Sequence, residues 1–84
     1  MVIFYHPKFQ RMYKKLARNI QLLAEKQEKI FREAVFDARL NTHKLHGRLK
    51  NQWSFDIDNK NIIIFEFDKE NIIFLAIGDH TIYR

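Results

Sequence analysis

Apolar and polar residues alternate along this chain with two periods, near 3.6 up to residue 40 and near 2 beyond it. Val2-Ile3-Phe4-Tyr5 is a short apolar run closed by His6-Pro7, which predicts a first strand. Pro7 suits the first turn of a helix, where its missing N–H is not needed. Phe9, Met12, Tyr13, Leu16, Ile20 and Leu23 then recur at the spacing of one helical face, and Lys8, Arg11, Lys14, Lys15 and Arg18 fill positions between them. Ile30, Phe31, Ala34 and Val35 continue the period, with Ala38 at its margin and Glu25, Lys26, Glu28, Lys29, Arg32 and Glu33 on the polar side. No Gly or Pro separates the two sets, so they predict either a helical hairpin or one bent helix. A boundary is placed near residues 19–25.

After Leu40 the pattern changes. Asn41-Thr42 and Asn51-Gln52 bracket a basic segment that reads as a loop. Trp53, Phe55 and Ile57 alternate with Ser54, Asp56 and Asp58, as in a half-buried strand. Asp58-Asn59-Lys60-Asn61 supplies a turn, Ile62 to Phe67 the next strand, and Asp68 to Asn71 another turn. Ile72 to Ile77 is almost continuously apolar, which predicts a strand covered on both faces and stopped by Gly78. The order β-α-α-β-β-β describes a single α+β domain over residues 1–84, with two N-terminal helices packed on a small, mainly antiparallel sheet.

The composition agrees with a folded domain: 46% of residues are hydrophobic, eight are Phe, and none is Cys. Disulfide and thiolate chemistry are thereby excluded, and a reducing cytoplasm is the expected location. No apolar run reaches the length of a membrane span and no signal-peptide pattern opens the chain, so no membrane association is expected. The charge is uneven. Residues 1–40 carry nine Lys/Arg against four acids, whereas residues 41–84 carry six of each. A basic N-terminal half attracts polyanions through counterion release, although a solvated helix face explains it equally well.

Candidate chemistry concentrates in residues 42–55, where His43, Lys44, His46, Arg48 and Lys50 occur ahead of Trp53, and in Asp79-His80 near the C-terminus. Metal-free RNA cleavage needs a base for the ribose 2′-OH, an acid for the departing 5′-oxygen and cations for the phosphate. Imidazoles and Lys/Arg meet those needs. The spacing of His43 and His46 also suits a metal, but without cysteines or an acid cluster it is a weak zinc signal. Duller roles are open to each residue: surface loop positions for the histidines, core for Trp53, a half-buried ring for Tyr83, and backbone conformation for Gly47 and Gly78.

Ile3-Phe4-Tyr5 with Pro7, His43-x-Leu45-x-Gly47 with Trp53, Ile63-Ile64-Phe65 and Gly78-x-His80-x-x-Tyr83, in that order, resemble the RelE/ParE toxin superfamily in its RelE/YoeB/YafQ branch. Ile3-Phe4-Tyr5 followed by Pro7, Phe9, Tyr13 and Lys14-Lys15-Leu16 is similar to the opening of such toxins. His43-Lys44-Leu45-x-Gly47 with Trp53-Ser54 resembles their H-x-L-x-G segment. Ile63-Ile64-Phe65 resembles their third strand, and Ile77-Gly78-x-His80-x-x-Tyr83 their terminal motif. The resemblance implies a RelE-like fold, a ribosome-dependent endoribonuclease acting on mRNA, no cofactor, and a cognate antitoxin in a hetero-oligomer. It implies that His43, His80 and Tyr83 are catalytic and that Lys44, His46, Arg48 and Lys50 bind RNA phosphate. Lys8, Arg11, Lys14, Lys15 and Arg18 would contact ribosomal RNA or antitoxin. One position departs from the pattern. Where the family commonly has Arg at the start of the third strand, this chain has Ile62. Arg48 or Lys60 would then meet the phosphate, or the chain is a weakened RNA-binding relative. A ParE-like toxin acting on gyrase without hydrolysis is the remaining alternative.

Overall fold

The computed structural model describes residues 1–47 and 51–83. Strand β1 (Ile3–Tyr5) leads into α1 (Pro7–Lys14) and α2 (Arg18–Glu33). A 3-10 turn at Ala38–Leu40 precedes β2 (His43–Lys44), β3 (Trp53–Asp56), β4 (Asn61–Asp68) and β5 (Asn71–Asp79), and a last 3-10 turn spans His80–Tyr83. The strands form one sheet in the order β1-β5-β4-β3-β2. Strand β1 pairs in parallel with β5, placing Ile3 opposite Ile72, and the other pairs are antiparallel. The expected α+β architecture with helices on a mainly antiparallel sheet is therefore present.

Local chemistry explains the element ends. Pro7 sits at the start of α1, and the His6 imidazole caps that end, its Nδ1 accepting the Lys8 N–H at 3.0 Å. The helices part earlier than the periodicity indicated, at residues 15–17 rather than 19–25. Ala17 adopts an extended backbone there, and the Gln21 side-chain amide donates to the Tyr13 carbonyl at 2.9 Å, satisfying a group the broken helix leaves without a partner. Ile20 and Leu23 thus belong to α2, and Leu23 is exposed. Ala34 and Val35 fall beyond the end of α2.

Alternation in the strands divides the core between two faces. On the helix face, Phe31 lies between Phe55, Phe65 and Phe74, with ring centroids 4.7, 5.0 and 5.5 Å away. All four rings are fully buried. On the far face a smaller cluster joins Leu45, Ile62, Ile64 and Ala76, with Met12, Leu75 and Ile82 packed against it. This second cluster revises two expectations. The segment read as a loop contains the two-residue strand β2, which pairs with β3. Gly78 does not end the last strand, which continues to Asp79 with Gly78 opposite Ile62. A Cβ at Gly78 would lie 2.9 Å from Ile82 Cγ2, so the bare backbone is what allows the terminal turn to fold back onto the sheet.

Candidate functional site

The far face carries the histidine chemistry. Register places His43 opposite Ser54, Ser54 opposite Ile64, and Ile64 opposite Ala76, so these four residues cross the sheet in one row. His43 is exposed and Ser54 fully buried, with the serine Oγ 3.3 Å from His43 Nε2. His43 Nδ1 lies 2.8 Å from the Asn41 carbonyl. A carbonyl only accepts, so Nδ1 carries a proton, and in the neutral ring Nε2 holds the free lone pair. Asn41 is left-handed, φ 51° and ψ 45°, and its side-chain amide donates to Asp56 Oδ2 at 3.2 Å. Thr42 secures the start of β2 by donating to the Val35 carbonyl at 2.6 Å.

The remaining residues are dispersed. Lys44 pairs with Trp53, so alternation turns it away from His43, toward a hollow of about 370 Å³ lined by Lys44, Asn51, Trp53, Glu66 and Phe67. Trp53 is half-buried against the core and meets Phe36 and Phe67 edge-on. Leu45 turns inward and is buried, while His46 is exposed. Gly47 has φ +71° with open space around its Cβ direction, so conformation and not crowding calls for glycine. Arg48, Lys50 and the side chain of Tyr83 lie outside the described residues. His80 is exposed and begins the turn that Tyr83 closes. The β5 strand that leads to His80 is three positions from β2, about 14 Å at ordinary strand spacing. Leu45 and Ile82 nevertheless belong to one cluster, so the segments bearing His43 and His80 cover the same face. Among the described residues no three His, Asp or Glu side chains are grouped to hold a metal ion.

Lys8, Arg11, Lys14, Lys15 and Arg18 are all exposed along α1 and the start of α2. A cleft of about 470 Å³ lies there, floored by Phe9, Ala24 and Ile63 and rimmed by Tyr5, Lys14 and Glu28 among others. Tyr5 donates to Glu28, and Arg32 donates to both, at 3.1 Å each. Burial and the Glu28 hydrogen bond hold the Tyr5 hydroxyl above its ordinary pKa. Sequence reasoning missed Asn41, Ser54 and Asp56. The αL preference of asparagine was a faint signal for Asn41, whereas Ser54 has the pattern of one more outward position in an alternating strand.

A family described as bacterial toxin of type II toxin-antitoxin system, YafQ, matches residues 1–83. No curated protein matches the chain at the level of sequence. Among solved structures, YafQ from E. coli strain BL21(DE3) superposes with a TM-score of 0.81 at 14% identity, covering 96% of this chain and 94% of that one. The YoeB dimer from Staphylococcus aureus gives 0.77 at 15% identity, covering 95% and 97%. The E. coli DinJ-YafQ complex gives 0.69 at 19% identity, covering 95% and 93%. At such identities the structural likeness speaks for the fold alone.

Proposed function

The chain belongs to the YafQ family of toxins of type II toxin–antitoxin systems, and from that premise we propose that it is an endoribonuclease that cuts mRNA at the ribosome to arrest translation. The observation that carries this reading is the ring of His43, exposed on the far face with Nδ1 committed to the Asn41 carbonyl and Nε2 left as the basic nitrogen. His43 takes the 2′-OH proton as the 2′-oxygen attacks phosphorus. The bond to the 5′-oxygen breaks, leaving a 2′,3′-cyclic phosphate, and His80 protonates the departing oxygen. Lys44, His46, Arg48 and Lys50 offset phosphate charge, and Tyr83 stacks on or orients the RNA. A cognate antitoxin is the proposed partner, as in the DinJ-YafQ complex, with Lys8, Arg11, Lys14, Lys15 and Arg18 facing it or ribosomal RNA. The reading places the protein in the cytoplasm.

Primer extension on mRNA in a reconstituted translation reaction tests the proposal. New 5′ ends are expected with wild type and are lost, with the fold retained by circular dichroism, in His43→Ala and His80→Ala. Cleavage undiminished in both variants refutes the assignment. One observation favours a rival. Ile62 is fully buried where an arginine would face the phosphate, which fits a ParE-like toxin inhibiting gyrase without hydrolysis. Intact mRNA together with inhibited supercoiling, equal for wild type and both variants, would establish that reading instead.

A further inference from the structure

We propose that Asn41 and Ser54 are positioning residues that confine the proton exchange of His43 to its Nε2 atom. Resting on the ribonuclease reading for its purpose, the assignment names which nitrogen of the base does the work and which groups enforce the choice.

The backbone at Asn41, its ties to the neighbouring elements and the placement of Ser54 carry it. Asn41 occupies the left-handed region, which disfavours most side chains and tolerates asparagine. The turn brings the Asn41 carbonyl 2.8 Å from His43 Nδ1, so that nitrogen keeps its proton in both charge states of the ring. The left-handed residue is itself tied to β3 by its amide on Asp56. Gln27 clamps the same two elements from α2, its amide 3.0 Å from the Asp56 carbonyl and 3.3 Å from the Arg39 carbonyl. Ser54 is the last piece. It stands opposite His43 in register, is 0% exposed, and holds its hydroxyl 3.3 Å from Nε2.

A hydroxyl both donates and accepts. Facing neutral His43, Ser54 donates to the Nε2 lone pair; facing the imidazolium, it accepts from the Nε2 proton. The contact therefore survives in either charge state. It is also long, so a ribose hydroxyl approaching from the solvent side of the exposed ring can share Nε2 without first breaking a strong bond. An oriented imidazole of fixed tautomer is what a general base requires, because a ring flipped or protonated on the wrong nitrogen presents no lone pair.

The test reads the ring directly. Long-range 1H–15N correlation of uniformly 15N-labelled protein, about two pH units above the ordinary histidine pKa, should show His43 with a protonated Nδ1 and an unprotonated Nε2. Asn41→Ala, which strains the left-handed backbone and removes the link to Asp56, should give a mixture of tautomers and cut cleavage by roughly tenfold or more. Asn41→Gly keeps the backbone conformation and should restore the single tautomer and most of the activity. Ser54→Ala should leave Nδ1 protonated while lowering kcat more than it raises KM. A wild-type His43 protonated on Nε2 overturns the proposal whether or not RNA is cut. So does an Asn41→Ala protein that keeps both the wild-type tautomer and full activity. The expected tautomers in wild type and variants, in a protein that cuts no RNA, uphold the hydrogen-bond assignment and count against the ribonuclease reading alone.

Discussion

Replacing Ile62 by arginine, the residue that the resemblance to RelE-type toxins leads one to expect there, asks whether this chain can accept it. Ile62 is 0% exposed, clustered with Leu45, Ile64 and Ala76, and stands opposite Gly78, over which the terminal turn folds. A guanidinium kept in that site would be a buried charge, so the arginine must swing out. An isoleucine site emptied in this way costs about 2–5 kcal/mol in lost transfer and cavity terms. Asp56 is within reach of the guanidinium, because it is the cross-strand partner of position 62. That half-buried pair returns about 1 kcal/mol, leaving a net loss of about 1–4 kcal/mol in a domain whose whole stability is of order 4–13 kcal/mol for its length. With a urea slope of about 1 kcal/mol per molar, the unfolding midpoint of Ile62→Arg should fall by about 1–4 M. Ile62→Val is the control and should cost about 1 kcal/mol. Equilibrium urea unfolding followed by tryptophan fluorescence at Trp53 measures both. A midpoint for Ile62→Arg within about 0.5 M of wild type would show that position 62 is not sealed, and the burial argument would fail.

Gly78→Val should push the His80–Tyr83 turn off the sheet, since its Cβ would meet Ile82 at 2.9 Å, at a cost of about 1–3 kcal/mol. Loss of the Ile82 methyl contacts by NMR, with the strand amides still protected from exchange, is the expected signature. Asp37 gives a pH prediction. Hydrogen bonds from the Arg39 side chain and then its backbone hold the Asp37 pKa at about 2. A depressed carboxylate pKa adds stability above the ordinary value, and that contribution is lost as pH falls from there toward about 2. Urea midpoints taken down through that window should fall less steeply in Asp37→Asn than in wild type.

Strand β4 was legible because its apolar run lies between turn residues with a mechanism, Asp58 accepting from the Lys60 and Asn61 N–H groups at 2.8 and 2.7 Å. The end of α1 was not, because no Gly or Pro marks it and Gln21, eight residues away, completes it. Two residues cannot display a period, so β2 was hidden in its basic segment. Ser54 fits an outward position of an alternating strand until Leu45 and the terminal turn cover that face, and nothing local to residues 53–56 announces those partners. The histidines stood out by composition, whereas the parting of His43 and Lys44 to opposite faces required the pairing register.

The parallel β1–β5 pair also bears on when this chain can fold as it is synthesised. Val2 and Asn71 are hydrogen-bonded across 69 residues, and α1 packs against the same final strand through Phe9 and Phe74. Strand β1 and helix α1 thus wait for β5, and closing so long a loop comes before most of the native contacts that repay it. A chain lacking β5 has no strand to join β1 to β4, and no Gly78 surface on which Ile82 folds back. Until β5 has been made, the apolar segments it would cover are open to capture by a partner or by aggregation.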